Sequence, residues 1–195
     1  MENEEKIMTG EESLRVISSM INKTKLNISQ GSFHLLFWGW LIAFCGLGEF
    51  VLYNFTDYDK TYRIWFLIIP GVFVSLIYGF IKGRSQKVYT YADRIYAWIW
   101  IGFLLTGIIL FILLSKVMGS VGPFIMLFAG YATFLSGIVI KFRPLIIGGI
   151  FFWAFALIAY FIPSSIAPLT VPLAMITGYL IPGHLLKKRF DHDTL

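Results

Sequence analysis

Glu49 is the one ionisable side chain that lies well inside an apolar stretch of this sequence. A carboxylate at membrane depth is costly unless it faces the interior of a helix bundle, pairs with a base or takes up a proton. One hypothesis is therefore that Glu49 binds a proton or a cation. The structural alternative is that it reaches the outer headgroups or pairs with Arg63, at the start of the next apolar stretch. Gly46 and Gly48 beside it would let another helix approach closely.

His34 and His184 form a second candidate pair, near the two ends of the apolar part of the chain. If their helices are neighbours, the two imidazoles can share a metal ion or a haem, with further ligands or an open position. No motif accompanies them, so hydrogen bonding to water or backbone is the simpler interpretation, and we predict no cofactor. The single cysteine, Cys45, excludes an intrachain disulfide and a multi-cysteine metal site.

The last apolar stretch is interrupted by prolines and carries several hydroxyl groups. Proline removes a helix hydrogen bond, and a freed carbonyl that lines a cavity can coordinate an ion or a substrate. The alternative is that these prolines only kink the helix and improve its packing. The residues of the predicted ligand or ion site are Glu49, Arg63, Thr177, Tyr179, Pro182 and His184.

Searches for catalytic signatures find nothing. Ser136-Gly137 lacks the preceding glycine of a Gly-x-Ser-x-Gly elbow, and no His-Glu-x-x-His, phosphate loop or dinucleotide fingerprint occurs. The basic residues cluster between apolar stretches and do not form a nucleic-acid-binding stripe. We therefore predict a protein that is not an enzyme and has no nucleic-acid partner.

The elements that position these residues are membrane-spanning helices. Of the 195 residues, 57% are hydrophobic and 14% charged, with a mean hydropathy of +0.75, whereas a soluble domain carries about 25% charged residues. Six stretches reach the length of about 20 apolar residues that crosses a bilayer as a helix. They are residues 35–54, 62–82, 94–114, 121–140, 144–162 and 166–186. The predicted fold is all-α, with six transmembrane helices arranged as three hairpins.

Basic residues alternate across the predicted membrane. Thirteen stand on one side, before span one, from Lys82 at the end of span two to Arg94 at the start of span three, between spans four and five, and after span six, against three on the other side. The three exceptions are Lys60, Arg63 and Lys116. Lys and Arg are retained in the cytoplasm, so both termini are predicted to be cytoplasmic. The acidic start of the chain does not fit a cleavable signal peptide, so we predict a multi-pass protein of the inner (plasma) membrane.

The sequence divides into a cytoplasmic arm at residues 1–34, the bundle at residues 35–186 and a basic tail at residues 187–195. Thr9 and Glu12 match a capping box, and apolar residues at helical spacing predict an amphipathic helix that ends at Gly31. Such a helix can lie in the membrane interface, against anionic headgroups, or bind a protein partner through residues 9–30. Both possibilities stay open.

The three hairpins share features that suggest repetition. The pairs Trp38-Gly-Trp40 and Trp98-Ile-Trp100 are offset by 60 residues, and each hairpin returns to a basic turn or tail. A true repeat is one interpretation, and the ordinary enrichment of aromatic and basic residues at membrane interfaces is the other. All three hairpins point the same way, which differs from the inverted repeats of many transporters.

Three segments resemble a group of small six-span inner-membrane proteins of bacteria, of the Bacteroidota type. They are ESLRVISSMINKTK at residues 12–25, GSFHLLFWGW at residues 31–40 and GYLIPGHLLK at residues 178–187. The resemblance implies a location and brings no activity with it. Function is therefore predicted from the residues: an integral membrane protein that acts by binding, as an assembly, sensing or regulatory subunit in contact with membrane lipids. The alternative is a small oligomeric transporter or channel that uses Glu49 and the proline-broken sixth span.

Overall fold

The computed structural model describes residues 10–83, 91–114 and 121–192. Its α-helices are α1 (Gly10–Phe55), α2 (Ile68–Gly83), α3 (Tyr91–Leu114), α4 (Gly122–Val139), α5 (Arg143–Phe161), α6 (Thr170–Met175) and α7 (Ile181–His192). Two 3-10 segments, Thr61–Leu67 and Ala167–Leu169, precede α2 and α6, and a π-helical turn, Ile176–Leu180, joins α6 to α7. The described part of the chain contains no strand, so the all-α prediction is confirmed.

Six helical stretches are long and apolar enough to cross a bilayer, and the chain is a multi-pass membrane protein. They are Ser32–Phe55, Thr61–Ile81, Arg94–Leu113, Gly122–Val139, Arg143–Phe161 and Ala167–Lys188. Their ends differ from the predicted ends by at most three residues. We number these stretches span one to span six.

The first helix is longer than predicted. α1 is one unbroken helix of 46 residues, so the expectation that Gly31 ends a separate arm is wrong. A glycine inside a helix costs only about 1 kcal/mol, and no proline, which would cost more, stands before Pro70. The amphipathic face predicted for residues 9–30 rests on side chains outside the described ones and is not tested. At the other terminus, α7 runs on to His192 through most of the predicted tail.

The second span changes from a 3-10 to an α-helix at Ile68, just before its proline. Pro70 is the third residue of α2 and lies in the first turn of this helix. The N–H groups of a first helical turn have no acceptor within the helix, so a proline is tolerated there. Because α2 begins at Ile68, Pro70 falls in the first helical turn, where the missing N–H removes no hydrogen bond within the helix.

Helices α4 and α5 are the most closely packed pair. The N–H of Phe142 donates to the carbonyl of Gly137 at 2.9 Å and that of Lys141 to Ile138 at 3.1 Å, which closes α4 with a Schellman motif. The left-handed position of this motif, usually a glycine, is held by Lys141 with φ 53°. A β-carbon on Gly137 would lie 2.6 Å from the backbone nitrogen of Ile146, so the two backbones nearly touch.

The buried core lies among span one, α4, α5 and span six. Its most deeply buried side chains include Phe152, Leu145 and Ala174. Span six is antiparallel to span one, since a β-carbon on Gly183 would touch Leu36 and one on Gly46 would touch Val171. The end of the bundle that carries Arg94, Lys141 and Lys187 is called the basic end below.

Helices α2 and α3 are peripheral to this core. In the most apolar 18-residue segment of span three no residue is buried, and in that of span two few residues are buried. Among the described residues, α2 packs against α1 and α3 packs against α4, but α2 and α3 do not pack against each other along their lengths. Each predicted hairpin therefore has its two helices in contact, while the tightest pair, α4 with α5, belongs to two different hairpins.

Candidate functional site

A cavity of about 2690 Å³ lies between the core and the two peripheral helices. It reaches from Leu35, Arg94 and Lys141 at the basic end to Glu49 and Tyr62 at the opposite end. All six spans contribute to its wall, and most of the lining side chains are apolar. The cavity therefore extends over most of the length of the bundle.

Helical spacing explains which residues line the cavity. The α2 residues in the wall recur every three or four positions, as do those of α3, so each helix presents one face. The α2 set is Ile68, Val72, Ser75, Leu76, Gly79 and Phe80, and the α3 set includes Ala97, Trp100, Phe103, Leu104 and Phe111. The side chain of Leu104 is 56% exposed although it belongs to this inner face. The space that it faces is thus unfilled by protein.

The carboxylate of Glu49 is the acidic group of this wall. Trp65 donates its indole N–H to Glu49 Oε2 at 2.8 Å, and both side chains are half-buried. Arg63, the predicted partner, is exposed and donates instead to the hydroxyl of Tyr58 at 3.2 Å. Within the described residues no ion pair joins Arg63 to Glu49.

The 3-10 segment Thr61–Leu67 is pressed against the face of α1 that carries Glu49. The thiol of Cys45 lies 3.6 Å from the carbonyl of Ile64, and a β-carbon on Gly48 would collide with the Ile64 side chain. Positions 45, 48 and 49 share a helical face because they are spaced by three and four residues. This spacing is the signal in the sequence that could have pointed to a partner for Glu49, although it does not identify Trp65.

The predicted residues of span six do not converge on one point. The hydroxyl of Thr177 donates to its own helix, at the carbonyl of Leu173 3.0 Å away, and Pro182 is fully buried in helix packing. The side chain of His184 is exposed. Tyr179 is the exception, since it lines the same cavity as Glu49. The structure thus joins two of the six predicted residues in one wall.

Tyr179 stands in the π-helical turn and is held by two neighbours. Its hydroxyl is hydrogen-bonded to that of Thr133 at 3.3 Å, and the Thr133 proton goes to the carbonyl of Ala129 at 2.7 Å, which makes Tyr179 the donor between the hydroxyls. The ring of Phe152 packs edge-on at 5.2 Å between centroids. π-Helical turns occur often at functional sites because they displace a side chain and loosen the helix hydrogen bonding.

Tryptophans that the sequence placed at the interface also contribute to the wall. Trp38 donates to the hydroxyl of Ser75 at 3.3 Å and so ties α1 to α2. Trp100 packs edge-on against Tyr179, and its buried indole N–H has no hydrogen-bond acceptor among the described residues. The other tryptophan of each pair, Trp40 in the first and Trp98 in the second, is 62% or 66% exposed, respectively. The first tryptophan of one pair and the second tryptophan of the other therefore face the interior. Residues related by the 60-residue offset thus have different surroundings.

The two histidines have different surroundings. His34 lines the cavity at the basic end, where its ring meets those of Phe33 at 5.6 Å and Tyr78 at 5.7 Å. His184 does not line the cavity. In the described ranges, no group of three His, Cys, Asp or Glu side chains is placed to hold a metal ion.

No protein-family model, curated protein or solved structure matches this chain.

The charges of the cavity wall are separated along its length. Glu49 is the one acid among the described lining residues, and it lies toward the opposite end from the two bases Arg94 and Lys141. Between these ends the wall is mostly apolar. An elongated molecule with an apolar body and a polar group at an end fits such a wall, because each part meets a surface of its own polarity.

Proposed function

We propose that this chain is an inner-membrane protein that acts by binding, as an assembly, sensing or regulatory subunit, and that its cavity holds a hydrophobic or amphipathic ligand. The observation that carries the proposal is the cavity itself, at about 2690 Å³. Ligand pockets are typically about 300–1,000 Å³ and mainly apolar with a few polar groups. The larger volume suits a ligand of the size of a membrane lipid.

The proposal includes the orientation of the chain. The distribution of Lys and Arg supports a cytoplasmic position for the basic end and for both termini. The continuity of α1 supports an arm that extends from the bundle on that side, where residues 9–30 bind a protein partner or a second copy of the chain. The bacterial origin rests on the resemblance of the sequence segments alone.

The cavity is tested by filling it. Gly79 lines the cavity, and a β-carbon there would meet nothing within 4 Å, so Gly79→Phe is the variant chosen to place a ring in the cavity. Gly107 on α3 has the same open surroundings but is not among the lining residues, so Gly107→Phe is the matched control. Native mass spectrometry of each protein, released from the membrane in mild detergent, measures the bound small molecules and the number of subunits.

The proposal predicts that the wild type and Gly107→Phe carry a co-purified lipid or other amphiphile and that Gly79→Phe carries much less. Equal ligand retention by all three proteins would place the ligand outside the cavity. A wild type without any bound molecule, even after incubation with total lipid extract, would overturn ligand binding. In that case the arm would be the remaining candidate for a binding function.

A transporter or channel is the second candidate, favoured by the π-helical turn at Tyr179 and by Glu49 in the wall of the same cavity. This candidate predicts a proton or cation flux that depends on the carboxylate. Liposomes containing the protein and an entrapped pH-sensitive dye, with a potassium gradient and valinomycin, report proton flux directly. Flux that is lost in Glu49→Gln and retained in Arg63→Gln would support transport, and flux at the level of empty liposomes would exclude proton conduction.

A further inference from the structure

We propose that the ligand of this cavity is an anionic phospholipid whose phosphate binds Arg94 and Lys141 at the basic end and whose acyl chains lie along the apolar wall. This inference rests on the proposed function and adds the chemical class of the ligand. It follows from the position, partners and surroundings of the two basic residues.

Arg94 and Lys141 are brought to the same end by the packing of α3 on α4. Arg94 stands in the first turn of α3, and Lys141 comes two residues after Val139, the last residue of α4. The two helices pack against each other, and consecutive spans cross the bundle in opposite directions, so the start of α3 lies beside the end of α4. Both side chains line the cavity.

Both bases are available to a ligand. Among the described residues, neither the Arg94 guanidinium nor the Lys141 ammonium has a hydrogen-bond or ion-pair partner, and both side chains are exposed. Guanidinium and ammonium groups bind phosphate oxygens through charge-assisted hydrogen bonds, and such bonds are stronger beside a low-dielectric wall than in open water. Two bases with no side-chain partner among the described residues, at the rim of an apolar cavity, therefore complement a phosphate that is attached to acyl chains.

The backbone of Lys141 gives a separate reason to assign a role to its charge. Its φ of 53° places it in the left-handed position of the Schellman motif, where a side chain is disfavoured and glycine is usual. A glycine would close α4 equally well. The lysine thus places a positive charge at the cavity rim against the local preference of the backbone.

The rest of the cavity fits the orientation and the entry of such a lipid. Glu49 toward the opposite end repels a phosphate, so the headgroup is directed to the basic end. Side chains such as Ile42, Val72 and Leu104 form an apolar wall for the chains. Because α2 and α3 are not packed together, a lipid can enter from the side without leaving the bilayer.

The test compares two lipids and two pairs of basic residues. Phosphatidylglycerol and phosphatidylcholine with identical acyl chains are titrated into the delipidated full-length protein, and native mass spectrometry measures binding. The site variant is Arg94→Gln with Lys141→Gly, in which the glycine relieves the left-handed strain. The control is Lys187→Gln with Lys188→Gln, which removes two exposed charges near the same end that do not line the cavity. Circular dichroism confirms equal helix content.

The inference predicts that the wild type prefers phosphatidylglycerol, that the site variant binds it about thirtyfold more weakly, and that the control retains it. Equal weakening in the control would show that only the general surface charge matters. Equal binding of both lipids by the wild type would overturn the headgroup assignment while leaving the cavity as a lipid site. Binding of neither lipid would overturn the proposed function as well. Full displacement by millimolar inorganic phosphate would show that the acyl chains are not recognised.

Discussion

Trp65 donates its indole N–H to the carboxylate of Glu49 across 2.8 Å, and this bond fastens the 3-10 start of the second span to the first span. The carboxylate is therefore held by a neutral donor, whereas the nearby Arg63 is bonded to Tyr58. The contact between the first two spans at this level thus depends on a hydrogen bond from a neutral indole and not on an ion pair between Glu49 and Arg63.

Removal of this donor destabilises the protein. We expect Trp65→Phe to lower the free energy of unfolding by about 1.5–3 kcal/mol, the usual contribution of a hydrogen bond to a charged group. Thermal unfolding in detergent, followed by circular dichroism, measures the effect. Trp98→Phe is the control, because Trp98 is 66% exposed. Equal unfolding temperatures for the two variants would mean that the hydrogen bond between Trp65 and Glu49 does not contribute to the stability of the protein.

The hydroxyl pair of Tyr179 and Thr133 couples the π-helical turn to α4. Tyr179→Phe removes the bond without leaving space, and we expect a loss of about 1 kcal/mol. Thr133→Val removes the same bond together with the one to Ala129. A double-mutant cycle isolates the shared contribution, for which we expect a coupling energy of about 1 kcal/mol. Strictly additive effects of the two substitutions would contradict the hydrogen bond between the hydroxyls.

Close packing of α4 on α5 requires glycine at Gly137. A β-carbon there would lie 2.6 Å from the backbone nitrogen of Ile146, so we expect Gly137→Ala to cost about 1–3 kcal/mol. At Gly107 a β-carbon would meet nothing within 4 Å, and Gly107→Ala should be neutral or stabilise the helix by up to about 1 kcal/mol. Unfolding temperatures of both variants in the same detergent give the comparison. A Gly137→Ala protein as stable as Gly107→Ala would contradict the observed helix separation.

Replacement of Lys141 by glycine is expected to increase the free energy of unfolding. Because its φ is 53°, Lys141→Gly relieves a conformation that costs about 1–2 kcal/mol for a residue with a β-carbon. Lys141→Ala removes the same charge and keeps the β-carbon, so it should not gain stability. Unfolding measured without added lipid separates this backbone effect from ligand binding. A lower stability for Lys141→Gly would show that the lysine side chain stabilises the turn.

Hydropathy predicted the spans well because a lipid-facing helix must be apolar whatever its neighbours are. The ends of the six long apolar helical stretches lie within three residues of the predicted span ends. The helix ends outside the membrane were harder. The prediction that the helix ends at Gly31 was wrong because a single glycine disfavours a helix only weakly. No proline follows Gly31 before Pro70 to stop the helix.

The residues of the candidate site were predicted less completely. Glu49 was identified because its charge is exceptional in an apolar stretch, but its partner Trp65 was not, since an aromatic residue near a span end is ordinary in a membrane protein. Lys141 and Arg94 were counted only as interface charges. Their common position at the cavity rim depends on the packing of α3 against α4, which charge spacing in the sequence does not encode.

The continuity of α1 has a mechanical consequence. Residues 10–31 add about 33 Å of helix, at 1.5 Å per residue, to the part that spans the membrane. A rigid rod of this kind acts as a lever with its fulcrum at the membrane surface. A tilt of about 10° in the first span would then move the far tip sideways by about 6 Å. If the proposed ligand tilts that span when it binds, its binding is converted in this way into a displacement outside the bilayer.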